Sequence, residues 1–310
     1  MLELLYYALI ALIVVLPATT VACGQWHSGQ TALDAINTQP QAKNDIFRAY
    51  ILGSALNEMA AIMSTIMGAF LLFLRPAITL EYLIALMGII VALVIPSCLV
   101  GYLSAKPQQT ALASLARQPF LGSKIVNLMI LTISMMQMSV ILGLFISFLI
   151  QKQLSPALSL LQALQLFAIG LTFGGGSIGP LIGMSNFTET ACGAVGRYPH
   201  AYGNILSLSF ISPALIETPI LFSLGVALFI MFRTPVAAAP LLAAALTMTL
   251  TTFGPGIGSG RVAASACRQI ALQPARSTEF TYVSMLVQTL IDASVIYGLI
   301  IAIILIVFGN

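Results

Sequence analysis

The sequence predicts an all-α membrane protein of eight transmembrane helices in four tandem hairpins, and three observations support this fold class. Hydrophobic residues make up 59% of the 310 residues and charged residues only 7%, whereas soluble domains contain roughly a quarter charged residues. Apolar segments long enough for a membrane helix, about 20 residues, recur along the chain. Short polar segments separate them at nearly equal intervals. The net charge of +3 is small and dispersed, which argues against a nucleic-acid partner.

The polar segments form an internal repeat, because each contains a proline that ends one helix and allows a tight turn before the next. The prolines, at Pro40, Pro119, Pro199 and Pro274, are 79, 80 and 75 residues apart. A helix flanks each turn on both sides, so we predict four hairpins of continuous helices, all in the same orientation. The predicted hairpins span 1–75, 76–152, 153–233 and 234–310.

Basic residues predict the orientation of the hairpins. Nine of them lie toward the proline turns and three toward the opposite side. Because basic loops stay preferentially in the cytoplasm, we expect cytoplasmic turns and external termini in a multi-pass protein of the cell inner (plasma) membrane. The turn-side residues are Lys43, Arg48, Lys106, Arg117, Lys124, Arg197, Arg261, Arg268 and Arg276, and the opposite ones are Arg75, Lys152 and Arg233.

Three acids and one amide occupy equivalent positions in the second helices of the hairpins. Counting eighteen residues from each turn proline gives Glu58, Gln137, Glu217 and Asp292. Eighteen helical residues rise about 27 Å, which places these side chains near the middle of the bilayer. Charged carboxylates are costly in lipid, so such residues are rare and usually functional. Desolvation favours their neutral form, and a carboxyl group there can hold a proton and release it to a cation or a water path.

Interhelical hydrogen bonding is the structural alternative for these four side chains. Gln137 fits that alternative, because an amide does not titrate. The acids fit it less well, since neutral polar side chains would supply the same hydrogen bonds at lower cost. If the acids served only as hydrogen-bonding groups, their shared offset of eighteen residues from the turn prolines would also be a coincidence. We therefore predict that the three acids carry ions.

Glycines in the first helices predict a tightly packed helix layer, because small residues let neighbouring helices approach closely. The glycines of the third and fourth hairpins align when counted back from the turn proline. They are Gly179, Gly183, Gly254, Gly256, Gly258 and Gly260. A nucleotide-binding glycine loop is excluded because no strand precedes these apolar segments. The four cysteines lie far apart, which argues against a metal site.

Together these features resemble the c subunit (proteolipid) of rotary ATP synthases, and the resemblance extends over the whole chain four times. The segment ARQP at 116–119 resembles the turn motif of bacterial family members. The segment GPGIGSG at 254–260 resembles their first-helix motif. Asp292, followed by Tyr297 and Gly298, resembles their second-helix motif. Turn, acid and glycines at fixed spacing make the resemblance specific.

The resemblance implies a non-catalytic, ion-translocating subunit of an F-type ATP synthase, without a cofactor. First helices would form the inner layer of a rotor ring and second helices the outer layer, with further copies of the chain completing the ring within membrane lipid. Glu58, Glu217 and Asp292 would carry protons past the stationary a subunit, and Tyr297 would lie beside Asp292 and hydrogen-bond it. The turns would contact the gamma and epsilon subunits of the central stalk and couple rotation to ATP synthesis or hydrolysis. The turn residues concerned are Gln39, Pro40, Arg117, Gln118, Pro119, Arg197, Pro199, Gln273 and Pro274.

Two features depart from the family pattern. The usual subunit is one hairpin, whereas this chain contains four. Gln137 cannot titrate, so one hairpin in four should carry nothing, and three ions would cross for every four hairpins that pass. Glu81 does not replace the missing acid, because its predicted position is near the outer membrane surface.

The residues predicted around the acids favour protons over sodium. Sodium-carrying relatives pair a first-helix glutamine with an acid that Ser or Thr follows, whereas a proton needs only a carboxylate. Counting fifteen residues back from each turn proline gives Gln25, Ser104, Met184 and Ser259. Gln25 would support Glu58, Ser259 would support Asp292, and Thr218 follows Glu217, yet no hairpin has the whole set. Sodium stays an alternative, since adjacent hairpins share each site.

Two other functions stay open. The fusion of hairpins favours a proteolipid of a vacuolar- or archaeal-type ATPase, whereas the RQP turn at 117–119 disfavours it. A stand-alone cation transporter would also use repeats and midplane charges, but such repeats are often inverted and contain broken helices.

Overall fold

The computed structural model describes residues 1–74, 78–155, 157–234 and 236–309. Arg75, one of the basic residues predicted on the outer side, lies outside these ranges. The described residues fold into long α-helices and short turns. The helices are α1 (Leu2–Thr38), α2 (Lys43–Leu74), α3 (Leu80–Leu103), α4 (Ala105–Arg117), α5 (Gly122–Gln153), α6 (Leu160–Gly176), α7 (Ile178–Arg197), α8 (Tyr202–Phe232), α9 (Ala238–Leu272) and α10 (Ser277–Phe308).

Across the described ranges, eight helical segments are long and apolar enough to cross a membrane. Helices α3 and α4 together form one such segment, and α6 and α7 form another. The remaining six segments contain one long helix each. The all-α membrane fold class predicted from the sequence is therefore confirmed.

The four proline turns have the same backbone geometry. A 3₁₀ turn begins at each proline, and the residue before it has φ between −135° and −130° and ψ between 70° and 79°. The backbone N–H of that preceding residue donates to the carbonyl four residues earlier, at 2.8–2.9 Å, which ends the first helix. These preceding residues are Gln39, Gln118, Tyr198 and Gln273. Identical turn geometry gives the second helix of every hairpin the same starting register.

The helices pack in two layers. The first helices lie side by side in chain order, from α1 through α3–α4 and α6–α7 to α9, and we call them the first-helix layer. The second helices lie over the grooves of this layer. Helix α2 contacts both α1 and α3, and α8 contacts both α6 and α9. The second helices contact one another less than the first helices do, so the core lies within the first-helix layer and beneath the second helices.

The prediction of continuous helices is wrong for two of the first helices. Short breaks at Ser104 and Ser177 separate α3 from α4 and α6 from α7. Each break comes three residues before a proline, Pro107 or Pro180. A proline has no N–H for the carbonyl four residues earlier, so the helix loses a hydrogen bond at that point. Ser185 of α7 compensates at the first break, because its hydroxyl donates to the carbonyl of Leu103, at 3.3 Å.

Candidate functional site

The four polar positions predicted in the second helices share one register in the structure. Glu58, Gln137, Glu217 and Asp292 each follow the first residue of their helix by fifteen residues (58 − 43, 137 − 122, 217 − 202 and 292 − 277). The helices are unbroken over this interval. Since the turns before them have the same geometry, the side chains lie about 22 Å along their helices. Their surroundings nevertheless differ from hairpin to hairpin.

Glu58 is exposed on the outside of α2 and is held by one neighbour. The side-chain amide of Gln25 in α1 donates from Nε2 to Glu58 Oε1, at 2.8 Å. The same amide lies 3.5 Å from the carbonyl oxygen of Ser54. The residue fifteen positions before the turn proline therefore does contact the acid of its own hairpin.

A buried polar network lies beside Glu58, between the first two hairpins. Ser104 donates from Oγ to Asn57 Oδ1, at 2.8 Å. Gln108 donates from Nε2 to the carbonyl of Tyr50, at 2.9 Å, and to Ser54 Oγ, at 3.3 Å. Asn57 Nδ2 and Gln108 Oε1 are buried without a partner among the described residues. The network was not predicted from the sequence, although Asn57 and Gln108 are polar residues in membrane-spanning segments.

Gln137 acts as a link between hairpins. Its side chain is 6% exposed, and Nε2 donates to the backbone carbonyl of Leu56 in α2, at 2.8 Å. Leu56 precedes Glu58 by two residues, so the amide of the second hairpin contacts the helix that contains the acid of the first. This contact corresponds to the interhelical hydrogen bonding that the sequence indicated for this residue.

Glu217 is half-buried, and its Oε1 is buried without a hydrogen-bond partner within the described chain. Met184, the residue equivalent to Gln25 in this hairpin, is 1% exposed and offers only a thioether. The prediction that Thr218 supports Glu217 is not matched by its geometry. The Thr218 hydroxyl donates to the carbonyl of Ala214 in its own helix, at 3.1 Å, because a threonine in a helix readily bonds the preceding turn.

Asp292 is the most deeply buried of the three acids, with 6% of its surface exposed. Ser259 of α9 donates from Oγ to Asp292 Oδ1, at 3.2 Å, as its sequence position predicted. The expected hydrogen bond from Tyr297 to Asp292 is absent from the described residues. Tyr297 is 72% exposed, whereas Asp292 in the same helix is buried.

The predicted packing glycines fall into two groups. A Cβ on Gly183 would overlap the backbone of Gly256, and a Cβ on Gly260 would overlap the backbone of Gly183. Gly179 and Gly256 also lie at this contact between α7 and α9, against Phe253 and Pro180. Gly254 and Gly258 lie away from this contact between α7 and α9. Gly254 has none of the described atoms within 4 Å of a built Cβ, and Gly258 faces Ile291 of α10 at 3.5 Å.

None of the three acids forms an ion pair in the part of the chain that the structure describes; the ion pair there joins Arg276 and Glu279 near the last turn, at 2.6 Å. Glu58 and Asp292 each accept one hydrogen bond from a neutral group. Oε1 of Glu217 has no hydrogen-bond partner among the described residues. The arrangement therefore places three carboxyl groups without cationic partners among the described residues at one register.

Comparison with known proteins agrees with this geometry. The sequence profile of the ATP synthase C subunit matches residues 167–230 and 242–305, which contain Glu217 and Asp292. The ATP synthase c subunit of Nostoc sp. is 41% identical over 75 residues, covering 24% of this chain and 91% of the relative. The protein of the same name from Synechococcus sp. is 40% identical over 75 residues, 24% of this chain and 90% of the relative. The one from Prochlorococcus marinus is 35% identical over 77 residues, 25% of this chain and 95% of the relative.

A complete relative thus corresponds to about a quarter of this chain, which is the share that one of its four hairpins occupies. The repeated hairpins, their turns and the profile matches lead to one conclusion: the chain belongs to the ATP synthase c-subunit family, as a fusion of repeated units that are similar to the c subunit.

Proposed function

We propose that this chain is the ion-carrying rotor-ring subunit of an F-type ATP synthase, and that Glu58, Glu217 and Asp292 carry protons. The observation that supports the proposal is the shared register of the three acids on the second helices, outside the first-helix layer. A carrier must reach both lipid and a neighbouring subunit, so it has to lie on the outer helices. In this arrangement three of the four hairpins present a carboxyl group at the same height, as a stepwise rotor requires.

The partners of the acids favour protons as the ion. Sodium needs several oxygen ligands, as other hard cations do. The group in contact with Glu58 is the Gln25 side-chain amide, which donates an N–H to the carboxylate and has only one oxygen to offer a cation. Asp292 has the hydroxyl of Ser259 as its partner. These sets suit a carboxyl group that alternates between a protonated form in lipid and an ionised form beside water.

We assign to Gln137 a structural role in a hairpin that carries no ion. Its amide N–H donates to the Leu56 carbonyl and so links α5 to α2 within the chain. This link does not depend on which hairpin of the ring faces the a subunit. A ring of such chains would move three protons for every four hairpins that pass the stationary a subunit. The ion-to-ATP ratio would then be lower than for a ring in which every hairpin carries an acid.

The remaining assignments follow the same proposal. The proline turns would lie in the cytoplasm and contact the central stalk, and both termini would lie outside. Arg117 and Arg197 end α4 and α7 directly before the turns, so their charges are available at that surface. A vacuolar- or archaeal-type ATPase is the second candidate, because four hairpins are joined in one chain.

Labelling with a hydrophobic carbodiimide tests the proposal, since the reagent reacts with protonated carboxyl groups in lipid. We expect modification of Glu58, Glu217 and Asp292, and loss of ATP hydrolysis in membranes that contain the assembled complex. Glu279 is the matched control, because it is 62% exposed and paired with Arg276. Labelling of the three acids without any effect on an ATPase would contradict the rotor assignment and favour a stand-alone transporter. Purification of the chain with its partner subunits would separate the F-type from the vacuolar or archaeal assignment.

A further inference from the structure

The contacts between neighbouring first helices follow one register along the whole chain. The residue sixteen positions before one turn proline lies against the residue fourteen positions before the next turn proline. The pairs are Gly24 with Ala105, Leu103 with Ser185, and Gly183 with Gly260. Two members of this series have no counterpart within the chain, because they lie at its two ends. They are Trp26 on the open edge of α1 and Gly258 on the open edge of α9.

Trp26 points away from the rest of the chain. Gly24 faces α3, because a Cβ there would overlap the carbonyl of Gly101. Two residues turn a helix by about 200°, so Trp26 projects from the opposite side of α1. Its indole is 61% exposed and stacks on the ring of His27, with 5.2 Å between the ring centroids. The equivalent residues of the other three hairpins, Ala105, Ser185 and Gly260, are small and buried.

The open edge of α9 has a shallow groove at two glycines. Gly256 faces α7, where a Cβ would meet Pro180. Gly254 and Gly258 are each two residues from Gly256, so they point away from α7. A Cβ built on Gly254 has none of the described atoms within 4 Å, and one on Gly258 has only Ile291 of α10 nearby, at 3.5 Å. The backbone of α9 is therefore accessible along this edge.

Extending the register by one hairpin brings these two edges together. Gly258 would then lie against Trp26 of a second copy, as Gly183 lies against Gly260 within the chain. A Cβ on Gly260 would already overlap the backbone of Gly183. Since tryptophan is far larger, α1 of the second copy cannot approach α9 as closely as α9 approaches α7. The indole would fill the wider space above the glycine groove.

Charges near the turns complement each other in the same register. Gly193 and Arg268 line one cleft between α7 and α9, and each comes six residues before its turn proline. The residue at this position in α1 is Asp34, and both Asp34 and Arg268 are exposed. A second copy in this register brings its Asp34 beside Arg268. Six residues rise about 9 Å, so this pair lies close to the turns and well away from the height of the acids.

We propose that the α1 edge of a second copy docks on the α9 edge, with Trp26 of the second copy in the groove at Gly254 and Gly258 and its Asp34 beside Arg268. The proposal rests on the proposed rotor function and specifies how its copies meet. An aromatic side chain on a glycine groove, with an ion pair, replaces between chains the glycine contact of α7 with α9. Exposed ion pairs contribute little, whereas a buried tryptophan contributes much, so Trp26 supplies most of the stabilisation.

Fluorescence of Trp26 tests the aromatic contact, because Trp26 is the only tryptophan in the sequence. Oligomer and single chain of the full-length protein are separated by size in a brominated maltoside detergent, whose bromine atoms quench a tryptophan that touches the micelle. We expect at least twofold weaker quenching in the oligomer than in the single chain. The double variant Trp26→Phe, Leu221→Trp is the control, because Leu221 is exposed on α8, and its quenching should be equal in both states. Equal quenching of Trp26 in both states, or failure to form an oligomer, would overturn the proposal.

Cross-linking in native membranes tests the register. Asp34→Cys with Arg268→Cys, in a Cys23→Ser background that removes an exposed thiol, should join chains into a ladder of multiples when treated with a short bis-maleimide. The matched control is Asp34→Cys with Gly193→Cys, which lies at the same height but one helix farther from the edge. Gly193 has none of the described atoms within 4 Å of a built Cβ, so cysteine should be tolerated there. Equal cross-linking of both pairs would overturn the proposed register.

Charge reversal separates a specific contact from misfolding. Asp34→Arg should lower the ratio of oligomer to single chain about fivefold, and adding Arg268→Asp should restore it. No restoration in the double variant would overturn the pairing. Absence of the cross-link in membranes whose ATP hydrolysis is still sensitive to a carbodiimide would overturn this contact and leave the rotor function in place. The cross-link in membranes without such ATP hydrolysis would support the contact and contradict the rotor function.

Discussion

Gln137 donates its side-chain N–H to the backbone carbonyl of Leu56, at 2.8 Å, and so joins the second helices of the first two hairpins at the height of the acids. The amide occupies the position at which the other three hairpins have a carboxyl group. Its Oε1 is buried without a partner among the described residues. An acid can replace the donor function only while it is protonated, whereas the amide provides it at all times. This contact distinguishes the second hairpin as a fixed element of the proposed rotor.

Gln137→Glu should convert the second hairpin into a fourth carrier. A protonated glutamic acid can donate its O–H to Leu56, so assembly should be retained. The number of protons moved per ATP should rise in the ratio of four carriers to three per chain. The measurement is the ion-to-ATP ratio, obtained from the phosphorylation potential at which reconstituted vesicles stop net ATP synthesis.

Gln137→Leu is the control for that substitution, because leucine neither donates nor titrates. It should leave the ion-to-ATP ratio unchanged and destabilise the chain by about 1 kcal/mol through the lost hydrogen bond. An unchanged ratio in an assembled Gln137→Glu ring would contradict the idle-hairpin assignment.

Gln25→Leu should speed the reaction of Glu58 with a hydrophobic carbodiimide. The Gln25 amide donates to Glu58 Oε1 at 2.8 Å and so occupies one oxygen of the carboxyl group. Leucine cannot make this hydrogen bond, so both carboxyl oxygens become open to the reagent. Mass spectrometry of peptides monitors the rate of labelling, and Glu217 and Asp292 in the same chain serve as internal references. Equal acceleration at all three sites would point to a general loosening of the structure rather than to the lost hydrogen bond.

Gly183→Ala should destabilise the packing of α7 on α9 by about 1–3 kcal/mol, because a Cβ there meets the backbone of Gly256, which cannot move aside cheaply. Gly254→Ala is the matched control on α9. It has none of the described atoms within 4 Å of a built Cβ, so alanine should stabilise the helix by about 0.5–1 kcal/mol. The changes in the free energy of unfolding of both variants are measured by unfolding in mixed micelles of increasing dodecyl sulfate content. Similar effects of the two variants would refute the close-contact explanation.

The repeat, the membrane spans and the common register of the acids were predictable, because proline spacing and hydropathy are local properties of a sequence. The face that a side chain occupies depends on which neighbour packs against it. Gly254 and Gly256 illustrate the difference: two residues turn a helix by about 200°, so only one of them can face α7. Tyr297 was misassigned for the same reason, since its offset from Asp292 points it away from α9.

The helix breaks were harder to predict, because proline acts differently at different places. Pro96 lies inside α3 without interrupting it, whereas Pro107 follows a break. A proline always leaves a carbonyl without its helical donor, and the local structure decides how the helix adjusts. At Pro107 a donor from another helix is available, since Ser185 of α7 reaches the carbonyl of Leu103. That donor is distant in sequence and becomes visible only in the folded chain.

Ser185→Ala should therefore destabilise the chain by about 1 kcal/mol, because it leaves the Leu103 carbonyl buried without this hydrogen bond. In a Pro107→Ala background the same substitution should cost much less, since the new N–H of residue 107 can bond Leu103 within the helix. A double-mutant cycle, measured by unfolding in mixed micelles, gives the coupling between the two positions. Ser207→Ala is the control, because the exposed Ser207 hydroxyl bonds its own helix at Gly203 and should show no coupling to Pro107. Equal costs of Ser185→Ala in both backgrounds would mean that the break at Ser104 is maintained by packing rather than by the hydrogen bond that proline removes.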